Sequence, residues 1–162
     1  MRFEEEQPIP KAWALIAAIP AVVLLGVAVS ADAADEPEPV VPLMIGGGLV
    51  LLLAVWLLKV ALETRVDDEA VTLRYHGPFK TRRIPIKTIR RAEARRYRPL
   101  REYGGWGIKF GPSGWAYNVS GKEGVQLRLD GGKPLLIGSK RATELANAIT
   151  SSAQYRSEST LP

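Results

Sequence analysis

Two apolar runs near the start of the chain constrain its fold more than any other feature. Residues 40–58 lie between Glu38 and Lys59, and no charged residue interrupts them. At about 1.5 Å per residue, a helix of this length crosses a bilayer core of roughly 30 Å. A second uncharged run, residues 12–31, lies between Lys11 and Asp32. We therefore expect a transmembrane helix hairpin over residues 12–60, with one helix at 12–31 and the other at 40–58.

The first run also has features of a secretory signal peptide. Ser30, Ala31 and Ala33 are small residues of the kind found at cleavage sites. However, residues 4–6 are all glutamate where a signal peptide has basic residues, and the run exceeds the usual length of about 7–15 apolar residues. We therefore interpret it as a transmembrane helix.

Glycines at residues 46–48 raise a question about the second run. Glycine lets two membrane helices approach closely, but it is also simply tolerated in lipid. The sequence leaves both interpretations open.

Basic residues flanking the two runs indicate their orientation. Arg2, Lys11, Lys59 and Arg65 lie at the outer ends of the hairpin, whereas the loop between the runs is acidic and has no Lys or Arg. The positive-inside rule then places both termini in the cytoplasm. We expect an integral protein of the cytoplasmic (inner) membrane, with residues 1–11 as a cytoplasmic N-terminal segment and the soluble domain on the same side.

Composition excludes several classes of site. The chain has no Cys and one His, which rules out a disulfide framework and a thiolate metal site and makes a catalytic triad improbable. Residues 1–60 carry three basic and seven acidic residues, whereas residues 61–162 carry nineteen basic and ten acidic residues. A strongly basic soluble half favours an anionic partner or surface.

Short strands are predicted after the second run. Val71, Leu73 and Tyr75 alternate along residues 71–76 and would share one face of a strand. Pro85 argues against a central strand at residues 82–89, and residues 89–97 fit either a strand or a helix. Further candidate strands are residues 106–110, 115–119, 125–129 and 135–137.

A helix is expected to close the domain. Ala142, Leu145, Ala146 and Ile149 recur at helical spacing, and Ser139 can cap the helix start. The fold class is therefore α+β: a soluble domain at residues 61–153, built as a small antiparallel β-barrel or sandwich of about seven strands capped by this helix. Residues 154–162 are expected to form a flexible tail.

Four tracts resemble bacterial membrane proteins that carry a pleckstrin-homology-like (PH-like) domain after two hydrophobic segments, within a functionally uncharacterised group. They are Thr64-Arg65-Val66-Asp67, residues 98–108 with Tyr103-Gly104-Gly105-Trp106-Gly107 at their centre, Ala116-Tyr117-Asn118-Val119-Ser120-Gly121, and Leu136-Ile137-Gly138-Ser139. The resemblance implies a PH-like fold and the topology given above. It implies no catalytic residues, and a fold name does not by itself imply lipid binding.

A basic run is the strongest candidate for a binding surface. Residues 80–101 hold ten basic residues and Glu93 as their sole acid, and near an anionic membrane such residues contribute on the order of 1 kcal/mol each. The run could contact the membrane surface, recognise a lipid headgroup, or be a solvated strand face. The candidate contacts are Arg82, Arg83, Lys87, Arg90, Arg91, Arg95, Arg96, Arg98 and Arg101.

A tract of aromatic residues and glycines follows the basic run. Glycine permits a positive φ and a close approach of the backbone, so a binding loop is possible. Alternatively, the aromatic side chains pack into the core of a hairpin. The candidate loop residues are Tyr103, Gly104, Gly105 and Trp106.

We expect a non-enzymatic, membrane-anchored module that binds or scaffolds an unknown membrane protein. The alternative is a sensor of anionic lipid headgroups acting through residues 80–101. No cofactor or metal is expected, and nucleic acid binding is disfavoured because most arginines precede the aromatic residues along the chain. Convergence of Arg82, Arg91, Arg95, Arg98 and Arg101 on one pocket would favour a ligand, whereas their dispersal would favour a broader surface.

Overall fold

The computed structural model describes residues 3–33, 40–76 and 81–159, with side chains through residue 154. The chain divides into two compact units. One is the helical unit, Ile9–Val60, and the other, the sheet domain, combines Met1–Pro8 with Ala61–Pro162.

Two helices form the helical unit, α1 at Lys11–Ala33 and α2 at Val40–Leu57. Both are long and apolar enough to cross a membrane, and their ends lie within two residues of the predicted spans. The helices approach closely at Gly47, where an added Cβ would lie 2.9 Å from Leu25 Cγ. Gly48 faces open space, so close approach explains one glycine of the three and not all of them.

A strand, β1, occupies Phe3–Pro8 and pairs antiparallel with β2, Ala61–Val66. The sequence of this segment does not predict a strand. Its residues alternate between buried and exposed, with Phe3, Glu5 and Gln7 buried. The helical unit is therefore inserted between two paired strands, because Pro8 and Ala61 are partners in the ladder.

Strands β1 to β4 form an antiparallel sheet in chain order, with β3 at Ala70–Tyr75 and β4 at Arg82–Pro85. The alternation predicted for β3 is confirmed, since Val71, Leu73 and Tyr75 are buried. Strand β4 is an edge strand among the described residues, which agrees with the expectation from Pro85. A short 3-10 turn, Ile86–Thr88, follows it.

A second sheet has the order β5-β8-β9-β7-β6. Residues 89–96, whose sequence fits either a strand or a helix, form the strand β5. Strands β7 and β9 are parallel, whereas an antiparallel sheet was expected. The strand bounds are β5 Ile89–Arg96, β6 Gly107–Gly111, β7 Gly114–Asn118, β8 Glu123–Leu129 and β9 Leu135–Gly138.

The α+β class is confirmed, but the closed-barrel form of the prediction is wrong. Across the described residues, nine strands instead of about seven form two open sheets of four and five strands. The sheets share no ladder, because the 3-10 turn ends β4 before β5 begins in the second sheet.

Two helices complete the sheet domain, a single turn α3 at Pro99–Tyr103 and the closing helix α4 at Ala142–Ser159. The predicted apolar face of α4 is confirmed, since its four residues at helical spacing are all buried. The helix continues beyond residue 153, where a flexible tail was expected to begin.

Candidate functional site

The basic run is divided among several surfaces. Arg82 and Arg83 lie on β4, and Arg90, Arg91, Arg95 and Arg96 lie on β5. Lys87 is in the 3-10 turn, Arg98 precedes α3 and Arg101 lies on it, while Lys80 falls outside the described residues. Convergence on one pocket would favour a ligand, but the five arginines in question do not line a common pocket: Arg82, Arg91, Arg95, Arg98 and Arg101.

Most cations of the run are already paired. Arg82 stacks on Tyr117, with its Cζ 5.4 Å from the ring centroid, and Arg83 Nη2 lies 2.8 Å from Glu69 Oε2. On β5, Arg90 pairs with Asp130 at 2.6 Å, Arg91 pairs with Glu93 at 2.5 Å, and Arg96 lies 3.8 Å from Glu123. These side chains are well exposed, so the pairs add little stability. They nevertheless reduce the positive field of the β5 face.

Arg95 is the most constrained cation of the run. Its guanidinium donates to Glu102 Oε2 at 2.8 Å and to Gln126 Oε1 at 3.0 Å. Burial lowers the pKa of Arg95. The hydrogen bond to Glu102 and the charge of Glu102 raise it by a larger amount, so the pKa lies above its ordinary value. Burial raises the pKa of Glu102, but hydrogen bonds from Arg95 and the Arg98 N–H bring it below its ordinary value. The pair is therefore fully charged at neutral pH.

A broad groove of about 950 Å³ lies beside Arg95. Four arginines, Arg90, Arg91, Arg95 and Arg128, line it together with Glu93 and Glu102. Three of these arginines are already held in ion pairs, so the groove leaves little free positive charge for a small anion.

A second cavity, which we call the Trp106 cleft, has a volume of about 590 Å³. Four cations and one acid, Glu102, line it, and Tyr97, Pro99, Leu100 and Trp106 supply apolar wall. Sequence reasoning found three of the cations but missed Lys122, which comes from the β7–β8 loop. No local pattern signals Lys122, because only the fold brings that loop next to α3. The four cations are Arg96, Arg98, Arg101 and Lys122.

Three of the four predicted loop residues have structural roles. Tyr103 is buried and makes an edge-to-face contact with Tyr97, the ring centroids being 6.1 Å apart. Gly104 adopts a left-handed conformation that ends α3, with φ of 70°. The N–H groups of Gly104 and Gly105 donate to carbonyls of α3 at 3.0 Å, so they are not available to a ligand. Trp106 alone lines the cleft, and its Nε1 donates to the Gly121 carbonyl at 3.1 Å.

A buried polar network lies behind these residues. The fully buried Asn118 donates through Nδ2 to the Tyr97 hydroxyl at 3.0 Å, and its Oδ1 accepts from the Gly107 N–H at 2.9 Å. The Tyr75 hydroxyl donates to the Asn118 carbonyl. Burial raises the pKa of Tyr75 and of Tyr97, so both hydroxyls remain neutral donors or acceptors. The network joins β3 of the first sheet to β7 of the second.

Two large aromatic side chains are exposed on the β6–β7 hairpin. Phe110 and Trp115 are 53% and 37% exposed, and their ring centroids are 5.3 Å apart. Lys133 Nζ lies 4.5 Å from the centre of the Phe110 ring. Among the described residues, strand β6 is at the edge of its sheet. We call Phe110, Trp115 and Lys133 the hairpin patch.

The histidine lies away from both cavities. His76 Nε2 is 3.5 Å from Glu63 Oε2, and His76 Nδ1 is 3.6 Å from Glu6 Oε1. Within the described ranges, no group of three or more His, Asp or Glu side chains is placed to hold a metal ion.

Comparison of the chain with models of known protein families finds no match, and no curated protein is significantly similar to it.

Proposed function

We propose that this chain is an integral membrane protein of the bacterial inner membrane and that its sheet domain is a non-enzymatic protein-interaction module in the cytoplasm. The hairpin patch is the observation that carries the interaction role. The two apolar helices support the membrane assignment, and the basic residues flanking them support the orientation.

The insertion of the helical unit between β1 and β2 is consistent with a membrane hairpin. Because Pro8 and Ala61 are opposite one another in the sheet, the chain leaves the sheet domain and re-enters it at neighbouring positions. Two spans return the chain to the side from which it started, so the segments on either side of the helices can complete one sheet.

The hairpin patch has the chemistry of a protein-binding edge. Large aromatic residues are enriched at protein interfaces and dominate their binding energy. An edge strand such as β6 presents backbone groups with which an added strand can pair. Lys133 beside the Phe110 ring favours an acidic residue in the partner. The proposed occupant is therefore an extended segment of another membrane protein, with apolar residues that cover the rings and a carboxylate near Lys133.

Site-specific photocrosslinking in native membranes tests this function. A photoreactive residue in place of Phe110 should give a discrete adduct, whereas the same residue in place of Thr143, exposed on α4, should not. Reversing the charge beside the Phe110 ring with Lys133→Glu should abolish the adduct. The absence of an adduct, or an adduct that survives charge reversal, would contradict the proposal.

The PH-like assignment also belongs to this proposal. Two sheets that are joined by hydrogen bonds from Tyr75 to Asn118 and from Gln7 to Gly138, followed by a C-terminal helix, support it. The parallel β7–β9 pair and the two open sheets depart from the barrel that the resemblance implied. An experimental structure in which the two sheets do not pack against one another would remove the assignment.

Contact with anionic lipid is the second candidate function. The ion pairs along β4 and β5 argue against the whole run acting as one charged surface. The cations in the Trp106 cleft are a specific observation in its favour, since Arg98, Arg101 and Lys122 have no ion pair within the described part of the chain.

A further inference from the structure

We infer that the Trp106 cleft is a binding site for a phosphate monoester, carried either by a lipid headgroup or by a small soluble molecule. The inference refines the second candidate function. It does not depend on the hairpin patch or its partner.

Uncompensated charge is the first reason. Four cations line the cleft with one acid, and both oxygens of that acid are already engaged. Glu102 Oε1 accepts from the Arg98 N–H at 2.7 Å, and Oε2 accepts from Arg95 Nη2 at 2.8 Å. Glu102 is thus neutralised mainly by Arg95, which does not line the cleft. The remaining cations are left to attract an anion.

The type of cation is the second reason. Arg98 and Arg101 carry guanidinium groups, which match the oxygens of phosphate in two-point contacts. Lys122 adds a compact positive charge from the β7–β8 loop. A phosphate monoester carries about two negative charges at neutral pH, so it gains more from three unpaired cations than a carboxylate or a phosphodiester does.

The walls of the cleft are the third reason. Tyr97 and Pro99 are buried beneath it, which gives it a fixed floor. The hydrogen bond from Trp106 to Gly121 anchors the indole beside the loop that carries Lys122. Leu100 is 69% exposed at the rim. Such a wall can cover the apolar group to which the phosphate is attached, and the cleft volume lies within the usual range for small-molecule sites.

Two triple variants of the full chain separate a site from general positive charge. The cleft variant carries Arg98→Gln, Arg101→Gln and Lys122→Gln. The matched control carries Arg74→Gln, Lys87→Gln and Lys140→Gln, all at exposed positions outside the cleft. Both variants lose three charges, so a nonspecific electrostatic effect would weaken them equally. Circular dichroism melts establish that each remains folded.

Trp106 serves as the reporter of binding. The other three tryptophans are replaced by phenylalanine in every protein, so that the fluorescence comes from the cleft alone. In the first arm, the full chain in neutral phosphatidylcholine nanodiscs is titrated with glycerol 3-phosphate, with glycerol as the uncharged control. In the second arm, nanodiscs of phosphatidylcholine alone are compared with nanodiscs that also contain phosphatidic acid.

We expect a saturable change of Trp106 emission in at least one arm. Charge-assisted hydrogen bonds are strong enough that loss of three cations should weaken binding about tenfold or more, with less than about a twofold change in the control. A response to glycerol 3-phosphate identifies a soluble ligand, and a response only to phosphatidic acid identifies a lipid. The inference is overturned if neither arm responds, or if both variants weaken binding equally.

Discussion

The carboxylate of Glu5 is predicted to hold the N-terminal strand on the start of the closing helix. It is 8% exposed on β1. Its Oε2 accepts from the Ser139 hydroxyl at 2.5 Å, and its Oε1 accepts from the Lys140 N–H at 2.9 Å. The Ser139 hydroxyl oxygen in turn accepts from the Arg141 N–H at 3.0 Å. Replacing Glu5 therefore removes both acceptors from donors that lie 134 and 135 positions away.

Two substitutions of Glu5 should lower the free energy of unfolding by different amounts. A hydrogen bond to a charged group contributes about 1.5–3 kcal/mol, and water can reach the partly buried Lys140 N–H, so Glu5→Ala should cost about 2–4 kcal/mol. Glu5→Gln keeps the volume and one acceptor, but its amide donor faces an oxygen that already accepts from Arg141. It should cost about 1 kcal/mol.

The matched control is Glu4→Gln, on the other face of the same strand. Glu4 and Arg65 form a pair at 3.0 Å that is well exposed on both sides, so its loss should cost about 0–1 kcal/mol.

Thermal unfolding of the full chain in detergent micelles measures the difference. Near-ultraviolet circular dichroism follows the sheet domain, and far-ultraviolet dichroism at the same temperatures follows the helices. The melting temperature should fall by roughly 8–32 °C for Glu5→Ala, at about 4–8 °C per kcal/mol. Equal melting temperatures for Glu5→Ala and Glu4→Gln would refute the role of β1 in closing the domain.

Three further predictions concern the helix, the acid of the cleft and the orientation. Leu145→Asp places a charge at a fully buried position and should cost more than about 4 kcal/mol, whereas Thr143→Asp on the exposed face should not; wild-type denaturant stability for Leu145→Asp would show that α4 does not close the core. Because the folded-state pKa of Glu102 is lowered, its ionisation stabilises the fold above its unfolded pKa, and this stabilisation is lost as the pH falls through the folded pKa. The urea midpoint should therefore drop less for Glu102→Gln than for wild type between pH 7 and about pH 3.5, and parallel profiles would contradict this. A reporter fused after Pro162 should be active in the cytoplasm, and a signal from the opposite side of the membrane would reject the proposed orientation.

Local patterns predicted the parts of the fold that depend on them. The helix α4 follows from apolar residues at a spacing of 3.6, and β3 follows from alternation, since each pattern already defines the buried face. The two apolar helices follow from length and the absence of charge. In these segments the residues of one element suffice to indicate its structure.

Nonlocal contacts explain what the sequence did not reveal. Strand β1 is a polar segment in the sequence, yet it buries Glu5 and Gln7. The partners that satisfy these side chains lie far away along the chain, as when Gln7 Nε2 donates to the Gly138 carbonyl at 2.8 Å. The parallel pairing of β7 and β9 could not be predicted from local patterns either, because it depends on the path of the chain between the two strands.

The same distinction applies to the candidate site. The basic run was visible in the sequence, but the acids that pair with it lie on other elements, as Asp130 does for Arg90. Similarly, the glycines after Tyr103 were correctly seen as places of unusual backbone, and their use in ending α3 required the hydrogen bonds of that helix.

Cysteine crosslinking between β1 and β2 in membranes tests most directly whether the two apolar helices are a membrane hairpin inserted within the sheet domain. The chain has no Cys, and Glu4 and Arg65 are partners in the ladder, at a separation that suits a disulfide. A protease site placed between Asp35 and Val40 cuts the chain between the helices. Protease added to spheroplasts, from which the outer membrane has been removed, should cut the chain into two membrane-bound fragments that remain joined in the oxidised Glu4→Cys, Arg65→Cys variant and separate on reduction. Fragments that separate without reduction, or a site that the protease cannot cut in spheroplasts, would contradict the account.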